Sequence, residues 1–203
     1  MTGIADIILN LVIFLATMAL ILIMPCKDGK WMPDRLKKAF RYFTCQSNVF
    51  CAAACLLTAI CAMAGEHPEW VRLLKYAGTA AVTVTMLTVF LFLAPVVGKG
   101  WTEKLLTGTP WDLCMHLLTP VAALVSFCVL EKRGMTFAQA LTGMLPVFLY
   151  GLLYVYRIRF APEEKRWEDF YTFDRGGKLA LSCAGMLAGT FLICMGLMAL
   201  QNI

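Results

Sequence analysis

Six apolar runs, each near the twenty or so residues that a helix needs to cross about 30 Å of hydrocarbon, constrain this chain more than any other feature. They cover Ile4 to Met24, Phe40 to Ala64, Trp70 to Val97, Trp111 to Leu130, Phe137 to Tyr156 and Leu179 to Leu200, and leave little for a soluble domain. In lipid the backbone must satisfy its own N–H and C=O groups, which a helix does within itself. The expectation is an all-α polytopic membrane protein, a single domain over residues 1–203 built as a bundle of six transmembrane helices. A charged fraction of 15%, against roughly 25% in soluble domains, agrees with it. The first run has Asp6 where a signal peptide has basic residues and shows no convincing cleavage site, so a retained helix is expected.

The basic residues are spread unevenly. Of the 18 Lys and Arg, fourteen fall in the first, third and fifth connections and four, Arg72, Lys75, Lys132 and Arg133, in the second and fourth. The positive-inside rule then puts the odd connections in the cytoplasm and both termini on the other side of the membrane. Basic residues so placed orient the chain and meet anionic headgroups, so nucleic acid is not an expected partner. Charge inside the spans is nearly absent, which argues against an ion-coupled transporter.

Eight of the nine cysteines, Cys45, Cys51, Cys55, Cys61, Cys114, Cys128, Cys183 and Cys194, lie inside the runs and read as small apolar fillers. No pair has zinc-finger spacing in a loop; neither a metal nor a cofactor is expected.

The second run opens with RYFTCQSNVFC, unusually polar for a segment facing hydrocarbon. Thr44, Ser47, Asn48 and Cys51 follow at i, i+3, i+4 and i+7 and share one face. That face is expected to point inward, where polar groups find partners. Opposite it stands His116, the only histidine in any span, and an ionisable group at such depth marks a functional site. Thr44 lies four residues after Phe40 and His116 five after Trp111, which puts both roughly 6 to 8 Å below the same boundary. Pro120 cannot donate to the carbonyl of His116, so a kink is expected beside the imidazole.

A threonine hydroxyl needs a base to become a nucleophile, and an imidazole in reach can serve. Asp112, one turn before His116, either orients the ring or caps the helix that begins at Thr109-Pro110. Asn48 can donate to an oxyanion, and Ser47 supports the same polar face. Tyr150 lies roughly 10 Å in from the same side on the fifth run, and Tyr154 is expected to contact substrate. Arg41 either snorkels to the interface or receives a carboxylate or phosphate headgroup. The threonines of the third run, Thr79, Thr83, Thr85 and Thr88, are expected to bond their own preceding carbonyls.

The first helix offers little beyond Asn10, and Asp34 to Arg41 reads as an amphipathic turn on the membrane surface. The fifth connection, with Trp167, Phe170, Tyr171 and Phe173, suits the headgroup level and can lie over the mouth of the bundle as a lid. Gly185 and Gly189 form a small-xxx-small pattern that permits close helix contact, within the monomer or between copies of an oligomer.

The FTCQSN stretch, the order His116-Leu-Leu-Thr-Pro120, the spacing of the runs and the aromatic connection before the last helix resemble the androgen-induced family of membrane threonine hydrolases and its prokaryotic six-helix relatives. The resemblance implies hydrolysis of fatty acid esters of hydroxy fatty acids, with Thr44 as nucleophile and His116 as base. The chain departs from the family at Ser47 and in its fifth connection, which leaves the substrate open. The expected partner is a fatty-acyl ester drawn from the bilayer. A carrier using the same polar cavity without covalent chemistry, and an assembly partner contacting others through Gly185 and Gly189, are the rival readings.

Overall fold

The computed structural model describes residues 3–27, 29–93 and 110–203. Among them are six helices long and apolar enough to cross a membrane. These are α1 (Ile4–Ile23), α3 (Phe43–Met63), α4 (Glu69–Thr88, continued by a π turn Val89–Leu93), α5 (Trp111–Leu130), α6 (Phe137–Phe160) and α7 (Leu179–Asn202). Between α1 and α3 lie a two-stranded ribbon, β1 (Cys26–Lys27) antiparallel to β2 (Lys30–Trp31), and the short exposed helix α2 (Pro33–Ala39). Gly29 turns the ribbon at φ +73°, a conformation that costs glycine nothing. The last residues of the third run up to Val97, the cap at Thr109 and two of the fourteen basic residues, Lys99 and Lys104, lie outside the described residues.

The second span does not start at Phe40. The chain breaks over Phe40 to Tyr42, where Tyr42 is extended, and the helix restarts at Phe43. Thr44 is therefore the second residue of α3, at its open end.

α4 is the post around which the others stand, packed against α3, α5, α6 and α7, while α1 lies against α3 and α5. Apolar layers stack along it. Ile13, Cys51, Cys55, Val82 and Ala123 fill the middle. Ile21, Cys45 and Met115 close the end beside Thr44. Tyr76, Phe127, Ala140, Cys194 and Leu197 fill the opposite end.

Two glycines set the closest approaches. A Cβ on Gly78 would lie 2.8 Å from the Cα of Cys51, and one on Gly143 would lie 2.9 Å from Cys194 Sγ and from the Tyr76 ring. Among the described residues Gly185 and Gly189 make no such contact, since a Cβ on either would meet nothing within 4 Å. The reading of that pair as a close contact within the monomer is thereby corrected.

Prolines shape α5 and α6 through their missing N–H. Just before Pro120 the backbone widens into a π turn over Cys114–Leu118, and Thr119 N–H reaches back to Cys114 O. His116 sits inside that turn, a type of local widening common at functional sites. Before Pro146 the chain tightens into a 3-10 turn, Thr142–Met144. α6 starts with a capping box, Thr136 accepting from Gln139 N–H while Gln139 accepts from Thr136 N–H.

The interior is not free of charge, contrary to expectation. Lys75 is 0% exposed, Asp6 1% and Glu131 6%, and the three meet between α1, α4 and the end of α5. Lys75 does not belong to an exposed connection. α1 is likewise more than packing, since Asp6, Asn10 and Thr17 occupy three of the five positions on its buried face.

Candidate active site

A cavity of about 300 Å³ opens where α3, α4, α5 and α6 converge. Thr44 and His116 both line it. Its apolar wall includes Val84, Val89, Trp111, Val147 and Met186. The volume is at the lower end of the range typical of small-molecule sites.

The carbonyl of Thr44 takes two donors, Ser47 Oγ at 3.1 Å and Asn48 Nδ2 at 2.9 Å. Ser47 also pairs with Thr85 Oγ1 on α4 at 3.0 Å. Asn48 Nδ2 reaches the Met115 carbonyl at 3.1 Å and so ties α3 to the π turn that carries His116. Both N–H bonds of the Asn48 amide are thus committed to carbonyls, which leaves none for an oxyanion. The sequence reading of Asn48 as an oxyanion donor is corrected to that of a brace. Neither Ser47 nor Asn48 is among the residues lining the cavity.

The break before Phe43 supplies other donors. The first four N–H groups of a helix have no partner inside it. Phe43 N–H is taken by the Tyr171 hydroxyl at 3.2 Å, and Gln46 N–H bonds Tyr42 O. The amides of Thr44 and Cys45, second and third in α3, have no carbonyl before them in the helix, and both residues line the cavity. They were not foreseen because no glycine or proline marks the break at Phe40 to Tyr42. Asp112 lies on the turn before His116, and its charge acts on the imidazole.

The fifth connection folds over the cavity as a lid, with Phe170, Tyr171 and Phe173 in its wall. Tyr154 OH donates to Asp169 Oδ1 at 2.7 Å and accepts from Tyr171 N–H at 3.0 Å. Tyr150 OH donates to the Arg41 carbonyl at 2.7 Å. Both tyrosines line the cavity, with their hydroxyls already engaged. The Arg41 residue is exposed and is not among the lining residues. Arg157 lies over the Trp167 ring, 5.4 Å from its centroid, and fastens the lid from outside.

The remaining polar groups brace the bundle. Thr83 and Thr85 bond the carbonyls of Thr79 and Ala81, as expected of threonine in an apolar helix, while the buried Thr79 hydroxyl has no partner among the described residues. Among the described residues no group of histidine, cysteine and carboxylate side chains forms a metal site. All nine cysteines are free thiols.

No protein-family model, curated protein or solved structure matches this chain.

Proposed function

We propose that the protein is an integral membrane hydrolase of lipid esters, with Thr44 as nucleophile and His116 as base. The observation that carries this reading is the shared cavity: a hydroxyl at the open end of α3 and the only histidine of the spans line one apolar chamber under an aromatic lid. His116 takes the Thr44 proton as Oγ1 attacks the ester carbonyl. The carbonyl oxygen gains charge beside the N–H groups of Thr44 and Cys45, where the positive end of the helix favours an anion. The C–O bond to the alcohol then breaks, the imidazolium returns its proton to the departing oxygen, and an acyl-threonine remains. Water, deprotonated by the same imidazole, releases the fatty acid.

The apolar wall suits a fatty-acyl chain, and esters of hydroxy fatty acids are the substrate class that the sequence resemblance favours. By the distribution of basic residues the cavity end faces the cytoplasm and both termini the other side of a prokaryotic cell membrane. A fluorophosphonate probe on purified protein tests the reading. Labelling is expected for the parent and lost in Thr44→Ala and His116→Ala; labelling that survives Thr44→Ala rejects the assignment.

One observation favours a carrier instead, namely the buried Asp6, Lys75 and Glu131, since buried charge is common in ion-coupled transporters. Lipid movement across liposomes that Thr44→Ala leaves unchanged, together with no labelling of the parent, decides for it.

A further inference from the structure

At the end of the bundle where α1 begins, far along α3 and α4 from the cavity, two carboxyls and one ammonium are sealed together. Lys75 Nζ donates to Glu131 Oε1 and to Ser126 Oγ, and lies 3.7 Å from Asp6 Oδ1. Ser126 Oγ donates to Asp6 Oδ1. Asn10 Nδ2 donates to the Asp6 carbonyl at 2.9 Å and to Glu131 Oε1 at 3.3 Å. Lys75 Nζ thus lies within ion-pair distance of both carboxyls, and no other cation is paired with either among the described residues. Fully ionised, this group carries a net charge of minus one with almost no contact with solvent. An uncompensated charge in such a place is strongly disfavoured. Two further acceptors, Asp6 Oδ2 and Asn10 Oδ1, are buried without a donor among the described residues, so the cluster is short of hydrogens as well as of positive charge.

We propose that Asp6 and Glu131 form a proton-binding site, in which one proton is held between the two carboxyls at neutral pH beside the Lys75 ammonium. One added proton removes the excess charge and supplies the missing donor, as in other carboxyl pairs too close to ionise together. Its place follows from the helix ends. Asp6 is in the first turn of α1, at the positive end of a helix, whereas Glu131 follows the last residue of α5, at the negative end, and takes the proton. Glu131 also lines a narrow cleft of about 20 Å³ with Cys61, Glu66, His67, Arg72 and Arg133. Glu66 and His67 are exposed, so the cleft connects Glu131 to the surface and gives the proton a path to water. Those residues, with Asp6, Lys75 and Cys51, are the titratable and charged groups that face the site from α1, α3, α4 and the connections among the described residues. The site is separate from the Thr44 and His116 cavity and stands or falls without it.

Infrared spectroscopy of the full-length protein in lipid nanodiscs tests this. The parent at neutral pH is expected to show the C=O stretch of a protonated carboxyl, which disappears as the pH is raised. Glu131→Gln keeps the shape and removes the band. Asp6→Asn, the second variant, also removes it, because a single carboxylate balances Lys75 and releases the proton. The melting temperature of the parent falls as pH rises through this titration, and that of Glu131→Gln does not. Absence of the band from the parent at neutral pH overturns the proposal, as does its persistence in Glu131→Gln. Stabilisation of the parent, but not of Glu131→Gln, on replacing choline by sodium at constant ionic strength also overturns it, in favour of a metal cation.

Discussion

The hydroxyl of Tyr171 accepts the backbone N–H of Phe43 at 3.2 Å, so the lid is tied to the first residue of the helix whose second residue is Thr44. One bond thus satisfies a helix-end donor and closes the chamber above the candidate nucleophile. Tyr171→Phe leaves that N–H without its partner at a cost of about 1 to 3 kcal/mol. The melting temperature is expected to fall by several degrees. Limited proteolysis within the connection, at Lys165 or Arg166, is expected to speed up.

Asn48 couples Thr44 to His116 without touching the cavity, through the carbonyls of Thr44 and Met115. Asn48→Leu strands both carbonyls and frees α3 from the π turn of α5, at about 2 kcal/mol or more. Fluorophosphonate labelling is expected to drop by at least about tenfold, since a misplacement of about 1 Å costs that much or more. Labelling at the parental rate shows that the brace does not position the site.

Asp169 makes the lid sensitive to acid. Burial alone raises its carboxyl, but hydrogen bonds from Tyr154 OH and from the N–H groups of Asp174 and Phe173 outweigh burial and hold it below the ordinary aspartate value. A carboxyl depressed in the folded state contributes stability above its unfolded pKa and loses it as pH falls through the folded one. Lid protection against proteolysis is therefore expected to be full above about pH 4 and to fade below it. Asp169→Asn is expected to show weak protection at neutral pH and no change in that window.

The glycines separate packing from spacing. Gly78→Ala drives a Cβ to 2.8 Å from the backbone of Cys51 and is expected to destabilise by about 1 to 3 kcal/mol. Gly185→Ala meets nothing among the described residues and is expected to be neutral or to stabilise by up to about 1 kcal/mol through helix propensity. Thermal unfolding of the two variants under one set of conditions checks both.

How much of this could be read beforehand differs from residue to residue. The six runs, the meeting of Thr44 and His116 on one cavity and the aromatic connection as its lid are legible because span length and helical rise are arithmetic along one chain. The restart at Phe43, the carbonyls that occupy Asn48 and the grouping of Asp6 with Lys75 and Glu131 are not. Asp6 and Glu131 each stand at the edge of an apolar run, where a charge reads as interfacial. Only the rotation and sideways packing of α1, α4 and α5 turn those positions inward and enclose them together. The sequence by itself determined which segments are helical, since that follows from local hydrogen bonding and the length of the apolar runs. The tertiary structure alone decided which groups face one another, because that depends on contacts between segments far apart in the chain.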